Sequence, residues 1–502
     1  MLLILAVVAF HCLVFTTGLL SDDSQGTMDG SSWLRTRALF ADSVSIESVS
    51  KGFCQTQSSA SVTLKLGPQV IKGMVGFSFQ KNNLGTPQNL FSAGNLNFIQ
   101  LLRNLGVTDL RLGGNPTDVS IWSTSSAKRG VNNYVTPPDI DALAGFVEAA
   151  DVSVIYGIRF LGNTIEEAVA EAKYVSQVLG KRLKAFEIGN EPIFYWQLSQ
   201  NEFISKWIQI QEAIKAAVPL SKFSGPAFDP NTPQRAAYYT SFVNSASKSL
   251  DLLTTHCYHS QPSSDVGLTD ILLQPDVNSL YGLNVSLSLS DRFNIPGGVR
   301  VDECNPFAAL AESNVVFGAA LWAIQYLLTL ASLGVTGANF HNNAMITSSD
   351  LHGPSLLFDR RSGEIIGMRP IFYGLFFFSK LGAGRLLQFQ SSNLDANVGI
   401  IERIGGGISI AIVNPSQSKE SVFDLNLPNN GYTTLYGYLL TAPSVNSLTN
   451  VTFAGSTIAL NGSWVPQIVD VLHVCTKRFP HYVKVRVPPG SAYMIRNSKI
   501  VP

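Results

Sequence analysis

Charged residues are scarce in this sequence, and neither sign is in excess. Only 14% of its 502 residues are charged, and 35 lysines and arginines balance 35 aspartates and glutamates. Because the formal net charge is zero at pH 7, no global field would draw the chain to nucleic acid or to an acidic membrane surface. Hydrophobic residues make up 45% of the chain, which is enough for a large core and a smaller second domain.

Cysteine is also rare, and its spacing excludes the common metal-binding motifs. One of the five cysteines, Cys12, lies in the N-terminal apolar run, which leaves Cys54, Cys257, Cys304 and Cys475. We predict neither a metal nor another cofactor. Four cysteines permit two disulfides in an oxidising compartment. We predict Cys54–Cys475, near the two ends of the mature chain, and Cys257–Cys304, on neighbouring strands; the other two connectivities and buried free thiols are the alternatives.

The N-terminus predicts export from the cell. Residues 1–20 form an apolar run followed at once by Ser-Asp-Asp-Ser, which is typical of a secretory signal peptide. An anchoring helix is the alternative, since the run lacks an initial positive charge and approaches the length of a membrane span. Later apolar stretches are short, so we expect no stable membrane insertion. Residues 21–60 are predicted to be a linker, and sequons at Asn284, Asn450 and Asn461 agree with an extracellular or a lysosome- or vacuole-like location.

Short β-branched segments alternate with helical segments from about residue 73. The predicted strands are 74–79, 107–113, 152–160, 183–188, 223–228, 252–258, 299–303 and 335–341. Alternation of strand and helix predicts a parallel sheet with crossover helices, and eight such units predict a (β/α)8 TIM barrel over residues 61–381. Residues 260–294 show no clear helical pattern, so the sixth unit is the least regular.

The remainder of the chain has a different pattern. Residues 382–502 contain short alternating segments separated by Asn-Gly and Pro-Gly turns, which predicts a β-sandwich domain. Residues 61–66 also alternate, and this segment either begins the barrel domain or pairs into the sandwich.

Two glutamates stand at predicted carboxyl ends of barrel strands, where barrel enzymes place their chemistry. Glu191 ends the FEIGNEP segment of the fourth strand, and Glu303 ends the seventh. Glycosidic cleavage with retention needs one carboxylic acid to protonate the leaving oxygen and one carboxylate to attack the anomeric carbon, about 5 to 5.5 Å apart. An exposed turn is the alternative interpretation of Asn-Glu-Pro alone, and the second glutamate favours catalysis.

Strand alternation adds expectations about the neighbours of these glutamates. It places Glu187 and Asn190 on opposite faces, with Pro192 fitting the bend that follows. It also directs Asp302 away from the barrel interior. The aromatic residues that follow strand ends either stack on sugar rings or belong to the core; they are Trp122, Phe194, Tyr195 and Trp196.

The pattern of Asn-Glu on the fourth strand and Glu on the seventh resembles glycoside hydrolase clan A. Within it, the chain looks like family 79, the heparanase and β-glucuronidase family, from about Val70 to Pro502. The motifs that carry the resemblance are LRLGGNPTD at 110–118, FEIGNEP at 186–192, His-Cys-Tyr at 256–258, the Glu303 strand and the terminal β-domain.

The resemblance implies a role for each matching residue. Glu191 would be the acid/base and Glu303 the nucleophile, Asn190 would bind the sugar 2-hydroxyl, and His256 and Tyr258 would support the two glutamates. Arg111 would position carboxylates. The other residues expected to bind substrate are Asn115, Phe340, His341 and Asn342.

The implied activity is that of a secreted β-glucuronidase whose partner is a carbohydrate, and the lack of a long basic insertion in the sequence favours exo action. Two departures from the family pattern bear on the sugar: Gln80 stands where relatives carry an acid, and Phe340 where a tyrosine is expected beside the glucuronate carboxylate. A clan A β-glycosidase for a neutral sugar such as glucose or xylose, and an inactive glycan-binding relative, are the alternatives.

Overall fold

Eight parallel strands close into a barrel, which confirms the predicted fold. The computed structural model describes residues 45–46, 65–85, 89–258, 276–307, 314–342, 345–346, 350–359, 361–388, 390–391, 397–427, 433–474 and 481–500. In chain order the barrel strands are β1 (Val75–Gln80), β2 (Asp109–Gly113), β3 (Ser153–Ile158), β4 (Leu183–Ile188), β5 (Phe223–Pro226), β6 (Leu252–Tyr258), β7 (Val299–Asn305) and β8 (Ala338–His341). Each strand pairs with its neighbours in sequence, and β8 pairs with β1.

A helix follows every barrel strand in the chain. They are α1 (Leu96–Leu105), α2 (Pro137–Ala150), α3 (Ile165–Leu179), α4 (Gln200–Ala217), α5 (Pro233–Ala246), α6 (Val277–Phe293), α7 (Phe317–Leu333) and α8 (Pro370–Leu381). Their apolar faces and the outward-facing strand residues form one buried cluster around the barrel. No helix in the described ranges is both long and apolar enough to span a bilayer.

Helix α6 corrects the expectation that the sixth unit lacks a clear helix. Its sequence is rich in Ser and Asn, and its Leu-Ser alternation imitates a strand. The Asp276 side chain caps its first turn by accepting from the backbone N–H groups of Asn278 and Ser279 at 3.1 and 3.3 Å. Burial of Leu283 and Leu289 against the barrel then stabilises a helix that intrinsic propensity does not favour.

An antiparallel β-domain follows α8, as predicted. Its eight-stranded sheet has the spatial order Lys65–Val70, Gly384–Gln388, Asn397–Arg403, Ile408–Asn414, Ser491–Arg496, Thr434–Thr441 and Thr452–Phe453, with Asp470–His473 also paired to Thr434–Thr441. A two-stranded ribbon of Ser421–Leu427 and His481–Val487 covers one face through a second apolar cluster. The strand that precedes the barrel therefore belongs to this sheet.

The other face of the sheet packs on α7 and α8. Leu328 of α7 lies against Gly399, where an added Cβ would come within 2.4 Å of the leucine side chain. Trp464 stacks on Phe453 with centroids 4.6 Å apart, and both rings also meet Phe376 of α8. Barrel helices and β-domain thus share one apolar core.

Three smaller groups of strands complete the described structure. Between β8 and α8 the chain forms a four-stranded antiparallel sheet of Met345–Ile346, Asp350–His352, Leu356–Asp359 and Ile365–Met368. Two-residue strands pair as Ser45–Ile46 with Gln390–Ser391 and as Ile121–Trp122 with Tyr134–Val135.

Charged side chains, rather than the usual branched apolar ones, fill part of the barrel interior. Near the amino-terminal end, Arg300 lies 3.5 Å from Asp109 and donates to Asn339 at 2.6 Å. Lys184 also reaches Asp109, at 2.8 Å. A second layer, centred on Arg111, lies closer to the carboxyl ends of the strands and leads into the candidate site.

Candidate active site

Left-handed backbone at the end of β4 directs Asn190 and Glu191 into the barrel mouth. Gly189 has φ +78° and Glu191 has φ +48°, and Glu191 N donates to Ala227 O at 3.0 Å. The predicted opposition of Glu187 and Asn190 is wrong, because Arg111 contacts both, at 2.7 and 2.8 Å. The turn at Gly189 breaks the strand alternation, so the chain bends before it reaches proline.

A β-bulge in β7 places Asp302 and Glu303 on the same side of the strand. Thr255 of β6 pairs with Val301, but the next residue, His256, pairs with Glu303. The same extra residue shifts the register between β7 and β8. The expectation that Asp302 points out of the barrel is therefore wrong: it is fully buried, and its Oδ2 lies 3.2 Å from Arg111 Nε.

Glu303 is held as a buried carboxylate with a partner on each oxygen. Tyr258 Oη donates to Oε1 at 2.6 Å, and Arg111 Nη1 donates to Oε2 at 2.6 Å. Burial by itself would raise the pKa of Glu303, but His341, His256, Arg111 and the Tyr258 hydrogen bond hold it well below its ordinary value. Glu303 is thus ionised over the whole neutral range, as a nucleophilic carboxylate must be.

Glu191 faces Glu303 across the mouth. Its Oε1 lies 3.0 Å from His256 Nδ1, and its side chain is 17% exposed. One oxygen of each glutamate and a ring nitrogen of His256 all lie within 4.8 Å of one another. Burial alone would lower the pKa of His256, but Glu303, Asp302 and the hydrogen bond to Glu191 raise it to about 9. The His256–Glu191 pair therefore holds a proton at neutral pH.

Beneath these groups, Arg111 neutralises a cluster of buried acids. Arg111 and protonated His256 supply two positive charges, whereas Glu187, Asp302 and Glu303 offer three buried carboxyls. Burial and the neighbouring charge of Glu187 raise the pKa of Asp302 well above its ordinary value, although Arg111 opposes the shift. Asp302 is thus the carboxyl that keeps its proton, which balances the charge of the sealed layer.

The residues expected to bind substrate divide into two groups. Asn190 Nδ2 donates to Asn115 Oδ1 at 3.0 Å, and both side chains reach the mouth. His341 Nδ1 lies 2.9 Å from Ser78 Oγ and 3.7 Å from Glu303 Oε2. With Arg111, these residues surround the glutamates.

Phe340 and Asn342 do not line the mouth, which corrects their assignment. Phe340 is fully buried behind the barrel wall, where its ring packs edge-on to Trp322 with centroids 6.2 Å apart. Asn342 Oδ1 accepts from the backbone N–H groups of Ser355 and Leu356, so its side chain fixes the following loop. Because side chains alternate along β8, the side chain of His341 points into the barrel, whereas those of Phe340 and Asn342 point away from it.

A clamp that the sequence interpretation missed fixes the Glu191 loop. Asp118 accepts hydrogen bonds from Phe160 N, Leu161 N and Tyr195 Oη. Tyr195 Oη in turn accepts from Asn190 N at 2.8 Å. The sequence signal for this clamp was Asp118, the last residue of LRLGGNPTD, but nothing in the sequence linked it to Tyr195. Tyr195 is a buried anchor rather than a sugar platform, and Trp122 packs beside Tyr174 of α3.

The Cys257–Cys304 disulfide is not formed, contrary to the prediction. Both cysteines are free and buried, and they are directly paired residues of β6 and β7. Cys54 and Cys475 lie outside the described residues. The three sequon asparagines lie on α6 (Asn284, exposed) and in β-domain loops (Asn450 and Asn461), and their glycosylation stays a prediction.

One cluster in the described part of the chain has the geometry of a metal site. It consists of Glu191, His256 and Glu303. Two positively charged side chains disfavour a metal ion there. Arg111 Nη1 already donates to Glu303 Oε2 at 2.6 Å, and the raised pKa of His256 keeps its ring protonated. The arrangement suits proton transfer and nucleophilic attack better than metal binding.

A separate groove of about 650 Å³ lies at the amino-terminal end of the barrel. Lys215, Asp251 and Asn294 are among the residues that line it. This end of a TIM barrel contributes to stability, whereas the chemistry takes place at the carboxyl ends of the strands. We therefore assign the groove no part in the reaction.

The fold is shared with solved structures of glycoside hydrolases. A 4-O-α-L-rhamnosyl-β-D-glucuronidase from Fusarium oxysporum superposes with a TM-score of 0.69 at 16% identity, over 86% of this chain and 97% of that one. A family 51 α-L-arabinofuranosidase from Thermotoga petrophila gives 0.63 at 15% identity, over 86% and 98%. A family 44 xyloglucanase from Paenibacillus polymyxa gives 0.57 at 11%, over 86% and 97%. No family model and no curated protein matches the sequence.

Proposed function

We propose that the protein is a retaining β-glycoside hydrolase that removes terminal β-linked sugars, with β-glucuronides as the first substrate to test. One observation carries the proposal: carboxylate oxygens of Glu191 and Glu303 lie within 4.8 Å of each other at the carboxyl ends of β4 and β7. This separation fits retention, whereas inverting enzymes hold their two carboxyl groups about 6.5–9.5 Å apart.

In the proposed first step, Glu303 attacks the anomeric carbon while Glu191 passes the proton that it shares with His256 to the glycosidic oxygen. The bond between carbon and oxygen breaks, and the leaving group departs as an alcohol. Glu191 then takes a proton from water, which attacks the anomeric carbon and releases Glu303. Tyr258 and Arg111 stabilise the Glu303 charge at 2.6 Å each, and His256 orients Glu191 at 3.0 Å.

The choice of sugar rests on separate arguments. The glucuronidase of the same fold from Fusarium oxysporum supports a uronide. Against it, position 340 carries a buried phenylalanine instead of the expected tyrosine, and Asn342 is committed to backbone groups, so fewer donors than expected face a sugar carboxylate. A desolvated carboxylate needs such donors, and their loss supports a β-glucoside or β-xyloside as the second candidate.

Two measurements test this function. NMR of early hydrolysis products of a β-glycoside should show the β-anomer first, and an α-anomer would contradict retention. The ratio of kcat/KM for p-nitrophenyl β-glucuronide to that for the β-glucoside and β-xyloside decides the sugar. Preference for a neutral sugar would refute the uronide assignment alone, whereas inactivity on all three and on the corresponding disaccharides would favour a glycan-binding role.

Secretion forms part of the same proposal. The apolar residues 1–20 and the three sequons support it. Expression of the full chain in a eukaryotic host should release the protein into the medium with the N-terminal run removed and glycans attached. Retention in the membrane fraction would instead support an anchoring helix.

A further inference from the structure

Two aromatic rings beside Glu191 have no part in the proposed steps. Trp196 is 81% exposed, and its ring centroid lies 6.1 Å from that of the partly exposed Phe194. Phe194 N donates to Glu191 O at 2.9 Å, so the pair is tied directly to the proposed acid. A large aromatic ring exposed at the rim of a site is a common feature of ligand recognition.

The loop that carries these rings is firmly anchored. Tyr195, which lies between them, is buried and stacks on Phe160 with centroids 5.4 Å apart and an interplanar angle of 12°. Its hydroxyl donates to Asp118. Because Tyr195 is fixed inward, the rings on either side of it are held at the surface by the backbone.

An ion pair from the next barrel unit borders the same surface. Arg235 Nη1 lies 2.5 Å from Asp229 Oδ1, and the Arg235 guanidinium lies 5.8 Å from the Phe194 ring centre. Asp229 follows β5, two residues beyond Ala227, whose carbonyl accepts from Glu191 N. Burial raises the pKa of Asp229 to about 6, against the effect of Arg235, so the pair is neutral overall at pH 7.

We propose that Phe194, Trp196 and the Arg235–Asp229 pair form the leaving-group subsite, and that it takes an uncharged ring, either a pyranose or a phenol. The inference rests on the proposed function, because Glu191 must touch the oxygen of the leaving group and therefore determines its side of the mouth. Aromatic faces stack on such rings. Since Asp229 neutralises Arg235, the subsite offers no net positive charge to a sulfated or carboxylated leaving group.

The test compares two leaving groups on the sugar that the enzyme prefers. One substrate is the p-nitrophenyl β-glycoside, and the other is the β-glycosyl fluoride, whose leaving group has no ring. Trp196→Ala and Phe194→Ala should each lower kcat/KM on the aryl glycoside about tenfold and leave the fluoride within about twofold. Leu220→Ala is the matched control, since Leu220 is 92% exposed between α4 and β5, at the opposite end of the barrel, and it should change neither.

A second arm tests the neutral charge of the subsite. Asp229→Asn removes the partner of Arg235 and should raise the ratio of kcat/KM for a carboxyphenyl glycoside to that for the nitrophenyl glycoside several-fold. Three outcomes would overturn the inference but not the proposed function. One is an unchanged carboxyphenyl-to-nitrophenyl ratio in Asp229→Asn. The other two, for the aromatic variants, are an equal loss of kcat/KM on the aryl glycoside and the fluoride, and no loss on either. Failure of the wild-type protein to hydrolyse any glycoside would overturn the proposed function and this inference with it.

Discussion

Arg111 connects the two halves of the proposed reaction at the level of single residues. It contacts Glu187 and Asn190 from β4 and Asp302 and Glu303 from β7. Its own pKa is raised above the ordinary value by these acids, although burial opposes the rise. The guanidinium is thus a fixed charge that positions both the nucleophile and the residue before the acid.

Removal of the Glu303 carboxylate should abolish the reaction. Glu303→Gln is expected to lower turnover by about four orders of magnitude, because the glycosyl–enzyme bond can no longer form. In Glu303→Gly, added azide should restore turnover and give a glycosyl azide of inverted configuration. Near-normal turnover of Glu303→Gln would remove this residue from the nucleophile role.

His256 should make the protein less stable at alkaline pH. Its pKa is 6.5 in the unfolded reference and about 9 in the folded protein, so the folded state binds the proton more tightly. The stabilisation is complete below pH 6.5 and is lost as the pH rises through 9, roughly 3 kcal/mol in all. Unfolding in urea from pH 6 to 10 measures it. His256→Gln should lack this decline, and an identical decline in the variant would contradict the assignment.

Asp302 and Glu187 should respond differently to the same change of acid to amide. Asp302→Asn replaces a neutral acid by a neutral group, so turnover should stay within about tenfold of the wild-type value. Glu187→Gln removes a carboxylate from Arg111, so the free energy of unfolding should fall by about 3–5 kcal/mol. Infrared spectra should show a protonated-carboxyl band that Asp302→Asn eliminates. Persistence of that band would assign the proton to another residue.

At the level of elements, the end of β4 depends on a hydrogen-bonded clamp from β2 and β3. Tyr195→Phe removes the acceptor of Asn190 N and the donor to Asp118. We expect kcat to fall about 10- to 100-fold with little change in KM, because Glu191 loses its fixed position. The loss should be larger for poor leaving groups than for activated ones. Equal loss across a leaving-group series would indicate a purely structural role.

The sequence predicted the elements better than their details. Apolar strand segments and polar strand ends were enough to predict all eight barrel strands and to select the two glutamates as candidates. The bulge at Asp302 and the left-handed turn at Gly189 each shift the alternation by one residue, and a residue pattern does not reveal such a shift. Helix α6 was missed because its packing, rather than its composition, stabilises it.

At the level of the whole molecule, the β-domain and barrel should unfold together. Gly399→Ala would bring a Cβ within 2.4 Å of Leu328 and should lower stability by about 1–3 kcal/mol in one calorimetric transition. Leu328→Ala should relieve part of this loss in the double variant. Gly94→Ala is the control, since its nearest contact would be 3.6 Å away; two separate transitions in the wild type would contradict a shared core.

The charged barrel interior restricts how this chain can be divided. Arg111 comes from β2 and two of its acids from β7, and in the lower layer Arg300 of β7 meets Asp109 of β2. A fragment that stops after β4 would hold a buried arginine without half of its counter-charges, and the complementary fragment would hold Asp302 and Glu303 without Arg111. Unlike a barrel with an apolar interior, this barrel cannot be divided into two halves that are each stable alone. A circularly permuted or split version must therefore bring β2, β4 and β7 together before any part of it is stable.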